Sequence, residues 1–261
     1  MKITVFTSNQ PRHLAYLEKL SGIAERVTAV VECTTVAPGQ VADFYSQSGV
    51  MGAYFSSVMK AERKIFGRSR FLPKNVQMLP IRMGDLNLVA RESLTEVLDS
   101  DVYLVFGASY IKGWLIEELV TNRAINIHMG LSPYYRGAAC NFWAMYDRRP
   151  AFVGATVHLL SPGLDSGQML FHVRPEFNGQ NTFDFTMEAV EKVQSRIVEK
   201  IAAGTIFENS PVQQDMSKQL RYSRNADFTD EIASTFLSQQ MDPAEIQDLL
   251  QGGVSPEILH G

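Results

Sequence analysis

The order of apolar and polar positions along the chain predicts an alternation of strands and helices. Ile3-Thr4-Val5-Phe6 is a short β-rich run, and Pro11 suits the first turn of a helix continuing through Leu20. Val27-Thr28-Ala29-Val30-Val31 is a continuous apolar run of strand length. A strand without alternation is buried on both faces, which implies a parallel sheet covered by helices. Val41 to Phe66 carries aromatic and apolar residues at helical spacing and stops at Gly67. Val76 to Ile81 then reads as a third strand, Leu88 to Leu98 as a helix and Asp101 to Phe106 as a fourth strand. Ile116 to Val120 reads as helix and Ala124 to Ile127 as a fifth strand. Two further strands, Gly154 to Leu160 and Gln168 to Val173, precede a long helical period from Phe183 to Ala203. The expected fold is α/β, a doubly wound, mostly parallel sheet.

Beyond Gly204 the pattern changes. Single aromatic residues stand among polar ones, and Asp242-Pro243-Ala244-Glu245 has the N-cap, N1 proline and N3 glutamate of a helix start. The expected organisation is a catalytic domain over 1–204 and a short helical C-terminal appendage over 205–261.

Composition agrees and narrows the function classes. Of 261 residues, 45% are hydrophobic and 20% charged, the balance of a chain with a sizeable core. Net charge is −4, which argues against a surface that tracks a nucleic-acid backbone. The two cysteines, Cys33 and Cys140, are too few for a disulfide framework and form no metal-ligating pattern. Reduced thiols fit a cytoplasmic protein. The apolar start of MKITVFTSNQ reads as a strand rather than a signal peptide, and no run is long enough to cross a bilayer.

In doubly wound sheets, ligands bind beyond the carboxyl ends of the strands. Asn126 and His128 stand two apart at such an end, so their side chains share a face. Asp165 lies in a turn between Gly163 and Gly167. It is either an Asx-turn residue or an acid that reaches His128, orients the ring and handles a proton. Taken singly, a strand-end Asn and a His also have ordinary structural explanations. Their combination matches a specific pattern.

INIHMGLSPYYRG followed by GATVHLLSPGLDSGQML resembles the core of the folate-dependent formyltransferases. That superfamily includes glycinamide ribonucleotide formyltransferases, methionyl-tRNA formyltransferases and nucleotide-sugar N-formyltransferases. The matching elements are Asn126, His128, the loop from Pro133 to Gly137, Gly154-x-Thr156-x-His158, and Asp165-x-Gly167. The resemblance covers roughly Met1 to Gly204. It implies a Rossmann-like formyltransferase core, 10-formyltetrahydrofolate as formyl donor, no metal, and a primary amine as acceptor. It also implies catalytic roles for Asn126, His128 and Asp165. Asn126 and His128 would hold the oxygen of a tetrahedral intermediate, and Asp165 would receive the proton of the attacking amine. The pterin would lie against Phe106, Gly107, Ala108, Ser109, Tyr110 and Ile111, and against Gly163 and Leu164. Ser8, Asn9, Arg12 and His13 of the first loop, with Tyr135 and Arg136, are candidates for holding the acceptor. His158 reads as a structural mid-strand residue.

Two departures bear on the acceptor. Met129-Gly130-Leu131-Ser132-Pro133 replaces the more usual x-Ser-Leu-Leu-Pro, a change in loop detail. Thr7 to His13 lacks the glycines with which purine-pathway members cradle a ribose phosphate. The short tail, with several acids, argues against tRNA. By elimination, the expected acceptor is a nucleotide-linked amino sugar. Methionyl-tRNA, glycinamide ribonucleotide, a non-catalytic folate- or nucleotide-binding relative and a hydrolase of the donor stay open. So does a homodimer.

Overall fold

The computed structural model describes residues 1–33 and 48–261. Seven strands form the central sheet in the order β3-β2-β1-β4-β5-β7-β8. They are β1 Lys2–Ser8, β2 Arg26–Cys33, β3 Val76–Arg82, β4 Val102–Phe106, β5 Ile125–His128, β7 Ala155–Leu159 and β8 Met169–Val173. The first five pair in parallel, and β7 and β8 run antiparallel to their neighbours. The fold is the mostly parallel α/β fold expected.

The central strands are buried on both faces, as their unbroken apolar runs require. In β4, Val102, Leu104 and Phe106 face a core shared with helices α1 (Pro11–Ser21), α2 (Gly49–Phe66) and α5 (Thr182–Ala202). Tyr103 and Val105 point the other way, onto Leu115 and Leu119 of α3 (Gly113–Thr121). The edge strand β3 alternates instead, with Gln77, Met78, Pro80 and Arg82 exposed.

Several elements differ from the sequence reading. Leu88 to Leu98 forms no α-helix, only short 3-10 turns at Leu86–Leu88 and Arg91–Leu94. Leu86 and Leu94 nonetheless fill the core there, so burial is achieved without helical backbone. Of the helix expected over Val41 to Phe66, the part before residue 48 lies outside the described residues. The remainder starts on Ser48, whose side chain accepts from the Met51 N–H.

The stretch after Gly204 carries two helices, α6 (Asp230–Ser238) and α7 (Pro243–Gly252), joined by irregular backbone. Asp242 caps α7 by accepting from the Glu245 N–H at 2.9 Å. Phe236, Met241 and Ile246 share a core with Tyr135, Phe142, Trp143 and Phe152. A two-stranded parallel ribbon, β6 (Tyr135–Gly137) with β9 (Arg221–Ser223), ties this stretch to the loop after His128. Strands this short carry no readable period, and the sequence reading missed them.

Candidate active site

The carboxyl ends of β1, β4 and β5 open on the same side of the sheet, and the loop after β7 folds over them. Asn126 lies directly opposite His158 across the β5–β7 pair, and His128 lies opposite Thr156. This register sets the site. The His158 ring donates from Nδ1 to the Leu159 carbonyl at 2.8 Å, which leaves Nε2 to accept from Asn126 Nδ2 at 3.0 Å. Asn126 Nδ2 also donates to Asp165 Oδ1 at 3.1 Å. Asp165 Oδ2 stands 3.3 Å from His128 Nδ1. The three residues singled out by the motif therefore meet, and His158 holds the first of them. Thr156 is equally structural. Its hydroxyl donates to the Gly130 carbonyl at 2.7 Å and accepts from the Ser132 N–H at 2.8 Å, closing the loop after His128.

Burial alone would neutralise His128, whose side chain is 6% exposed. The Asp165 carboxylate, and after it Cys140, outweigh burial and hold the ring well above its ordinary range. Asp165 is shifted the opposite way. Burial raises its pKa, but the His128 charge and hydrogen bond hold the carboxyl well below the usual carboxylate range. The two directions agree on one state, an imidazolium beside a carboxylate. Its Nε2 side faces the Tyr135 carbonyl at 3.3 Å and the Cys140 Sγ at 3.5 Å.

The Asp165 turn is fixed from several sides. Asp165 itself sits at φ +45°, a left-handed conformation that Asp tolerates better than most residues. Gln214 Nε2 donates to the carbonyls of Asp165 at 2.7 Å and Gly167 at 2.9 Å. Arg136 donates to the Leu164 carbonyl at 3.2 Å, and the Tyr110 hydroxyl donates to the Pro162 carbonyl. Gly167 is required by space: a Cβ there would stand 1.7 Å from the Leu159 carbonyl oxygen. On the facing loop, the buried Glu32 carboxylate accepts from the backbone N–H groups of Gly84 and Ser109.

Two cavities flank this centre. One, of about 100 Å³, is lined by Ala108, Ser109, Tyr110, Ile111, Gly163 and Leu164, with Asn126, His158 and Asp165 at its floor. It gathers most of the residues expected around the pterin. Phe106 lies beneath it in the sheet core, and Gly107 borders His13, where a Cβ would come within 2.2 Å of the ring. The other cavity, of about 350 Å³, is lined by His128 and Cys140 with Arg12, Tyr54, Phe55, Val58, Phe142, Phe183 and Phe236 among others. Among the acceptor candidates, only Arg12 borders it, and Arg12 pairs with the buried Glu62 at 2.8 Å.

The other acceptor candidates are placed elsewhere, and two need correction. The His13 ring is buried, stacks on Phe106 at 4.6 Å, and has its Nδ1 within reach of Thr7 Oγ1 and the Phe106 carbonyl. Burial, and then the Arg12 charge, hold it well below its ordinary pKa, so it is neutral at pH 7 and ill suited to an anion. The Tyr135 side chain turns into the core and donates to Asp147 Oδ2 at 3.0 Å. Ser8 bonds Gln10, Asn9 borders neither cavity, and Arg136 serves the Asp165 turn. Gln214, Glu32 and Cys140 were not found from sequence. No motif marks them, and only the folded loops bring them in.

The family profile for formyl transferase matches residues 87–201, the stretch that carries β4, β5, β7 and this centre. That stretch, somewhat less than half of the chain, is similar to the formyl transferase family. A methionyl-tRNA formyltransferase of Synechococcus sp. (strain JA-3-3Ab) is 27% identical over 124 residues, 47% of this chain and 38% of that protein. The chain spans less than half the length of this curated relative. Among solved structures, a 4-N formyltransferase from Francisella tularensis superposes with a TM-score of 0.52 at 21% identity, covering 87% of this chain and 77% of that one. An N-formyltransferase from Helicobacter canadensis, in complex with folinic acid and dTDP-3-aminofucose, gives 0.55 at 13% identity, covering 90% and 80%. These likenesses establish the shared formyltransferase fold. Among the described residues, no helix is long and apolar enough to cross a membrane.

Proposed function

We propose that this chain moves the formyl group of 10-formyltetrahydrofolate to a primary amine, that of a nucleotide-linked amino sugar. The observation that carries the reading is the convergence of Asn126, His128 and Asp165 between two separate cavities. A two-substrate transfer needs such an arrangement, with donor and acceptor meeting at one set of polar groups.

The smaller cavity fits the flat end of a pterin. It lies between two loops, with Tyr110 and Leu164 half exposed at its edge and Asn126, His158 and Asp165 among its polar lining. When bound there, the donor supplies an activated formyl carbon. The chain's residues do the rest. Asn126 stands at the floor, where its amide can turn from Asp165 to the formyl oxygen. The His128 imidazolium supplies positive charge beside the same oxygen, where negative charge develops. One well-placed donor of this kind is worth roughly 3–4 kcal/mol in the transition state. Asp165, kept ionised by His128, accepts the proton of the amine once it has attacked. The aromatic walls of the second cavity exclude water and so favour the amine over hydrolysis.

The acceptor assignment rests on the Thr7–His13 loop, which lacks phosphate-cradling glycines, and on the shared fold with the Helicobacter canadensis enzyme. The test is product analysis by mass spectrometry with 10-formyltetrahydrofolate. The acceptors are dTDP- and UDP-linked amino sugars, glycinamide ribonucleotide and charged initiator tRNA. A formamide on a nucleotide sugar is expected. Turnover only on tRNA would replace the acceptor, and donor hydrolysis with no amine product would remove the transferase reading.

A further inference from the structure

Two polar groups in the larger cavity are left without partners, and neither takes part in the transfer chemistry above. The first is the Tyr54 hydroxyl. Tyr54 stands on α2, and its ring lies between 4.9 and 6.1 Å from those of Phe55, Phe142, Phe183, Phe228 and Phe236. Burial pushes the pKa of the hydroxyl up, yet no described residue hydrogen-bonds it. A hydroxyl left so costs stability that a phenylalanine would not. The second is the amide nitrogen of Asn141. Asn141 Oδ1 accepts the Gly154 N–H at 3.0 Å. Only the amide oxygen can meet that N–H, so Nδ2 is turned away from the bond, and it has no partner among the described residues. Both side chains line the cavity together with His128, and both atoms keep accessible surface. Other polar groups there are committed. Arg12 pairs with Glu62 at 2.8 Å, the Thr186 hydroxyl donates to the Phe183 carbonyl at 3.1 Å, and the Cys140 thiol donates to the Gly137 carbonyl at 3.4 Å. Thr182 Oγ1 is unpartnered but sealed, so no ligand reaches it.

We propose that Tyr54 and Asn141 select the acceptor by hydrogen-bonding an uncharged oxygen next to its amine, a hydroxyl of the amine-bearing ring. The inference rests on the formyl-transfer reading above and names what the acceptor cavity recognises. Asn141 Nδ2 only donates, whereas the Tyr54 hydroxyl donates or accepts. A ring hydroxyl suits both, since its oxygen accepts from either group and its proton can go to the phenol oxygen. The aromatic walls take the apolar face of the same ring. The charge of Arg12 is already matched by Glu62, so the phosphates of a nucleotide-linked acceptor lie outside this cavity. Selection of this kind works by refusal. An amine that lacks the oxygen leaves the hydroxyl and the amide unpaired and shut away from water.

The experiment measures acceptor binding and formyl transfer separately. Tyr54→Phe removes one oxygen atom and keeps the ring packing. Asn141→Asp keeps the oxygen that serves Gly154 and removes the amide N–H groups. Calorimetry with dTDP- and UDP-linked amino sugars, without donor, accompanies steady-state transfer and thermal unfolding on the same samples. Tyr54→Phe should unfold at or above the wild-type temperature, yet bind the acceptor about tenfold more weakly, with the acceptor KM raised alike and the donor KM unchanged. Asn141→Asp should weaken the acceptor at least as much. An acceptor analogue without the hydroxyl beside the amine should lose about tenfold in wild type and little further in Tyr54→Phe, the coupling expected of a direct contact. Wild-type acceptor affinity in folded Tyr54→Phe and Asn141→Asp overturns the proposal and leaves the transfer reading standing. So does a lowered unfolding temperature in Tyr54→Phe with acceptor affinity unchanged, which would make the hydroxyl structural. Failure of wild type to bind either nucleotide sugar overturns the proposal as well. Binding that depends on Tyr54 and Asn141 without any formyl transfer supports the recognition and removes the transfer reading alone.

Discussion

The two cavities beside His128 are built in opposite ways. The smaller one is fixed by hydrogen bonds to backbone. Gln214 holds two carbonyls of the Asp165 turn, Arg136 and Tyr110 hold two more, and Glu32 holds the N–H groups of the facing loop. The larger one is fixed by ring packing. Tyr54 lies 5.6 Å from Phe142 and 5.5 Å from Phe183, and Phe142 lies 4.7 Å from Phe236. Directional bonds to backbone specify one geometry and are largely indifferent to which side chains face the ligand. Apolar packing tolerates exchange of shape at modest cost. On the proposed reading, the first suits the folate donor and the second the amine acceptor.

The largest effect is expected where the two halves meet. Asp165→Asn keeps the shape but removes the charge, and formyl transfer should fall roughly 10²–10⁴-fold, the range for a proton-transfer group. The same variant has a pH signature. Because the folded-state pKa of His128 is raised, its contribution to stability is full below the unfolded value near 6.5 and is lost as pH rises through the folded value. Asp165 is lowered, so its contribution is present above about 3.8 and lost as pH falls through the folded value. Chemical denaturation across pH should show the alkaline loss in wild type and a flatter curve in Asp165→Asn. An unchanged curve would show that the pair does not form.

Next comes the frame of the smaller cavity. A methyl at Gly167 meets backbone rather than a yielding side chain. Gly167→Ala should cost about 2–3 kcal/mol in thermal unfolding and most of the activity. Gln214→Ala removes two hydrogen bonds from the Asp165 turn without touching either cavity's lining. About 1 kcal/mol per bond predicts a tenfold loss or more, in kcat rather than in the acceptor KM. If the loss appeared only as unfolding, the positioning role would be wrong. The smallest effect belongs to the packed side. Val58→Ala enlarges the aromatic cavity by two methyls and should change the acceptor KM a few-fold, leaving the donor KM as it was. A shift in the donor KM instead would erase the distinction between the cavities.

The legible part of this molecule was its repeating part. β1, β2, β4 and α5 announced themselves because strands and helices buried over several residues must carry apolar residues at a fixed period. Leu88 to Leu98 reads as helix from its apolar spacing, yet short turns bury Leu94 there equally well, so period alone misassigned that stretch. The β6–β9 ribbon was invisible because three residues hold no period. The same division runs through the site. Asn126 and His128 were readable together because i and i+2 on one strand share a face, and the cross-strand register then adds His158 and Thr156. His13 and Tyr135 look like ligand contacts in a loop, but both rings are consumed by packing. Gln214 acts on Asp165 from another segment, through backbone atoms that every residue has, so its identity in the sequence carries no signal.

The central claim is that Asn126, His128 and Asp165 form a formyl-transfer centre shared by a donor and an acceptor cavity. Its most direct test is single-turnover formyl transfer to the accepted amine, measured by rapid quench in wild type and Asp165→Asn, with tetrahydrofolate binding measured on the same samples. The expected result is a rate reduced roughly 10²–10⁴-fold, with donor binding near wild type in a folded variant whose thermal stability is lower by the loss of the His128–Asp165 pair. Transfer at the wild-type rate by a folded Asp165→Asn protein would contradict it.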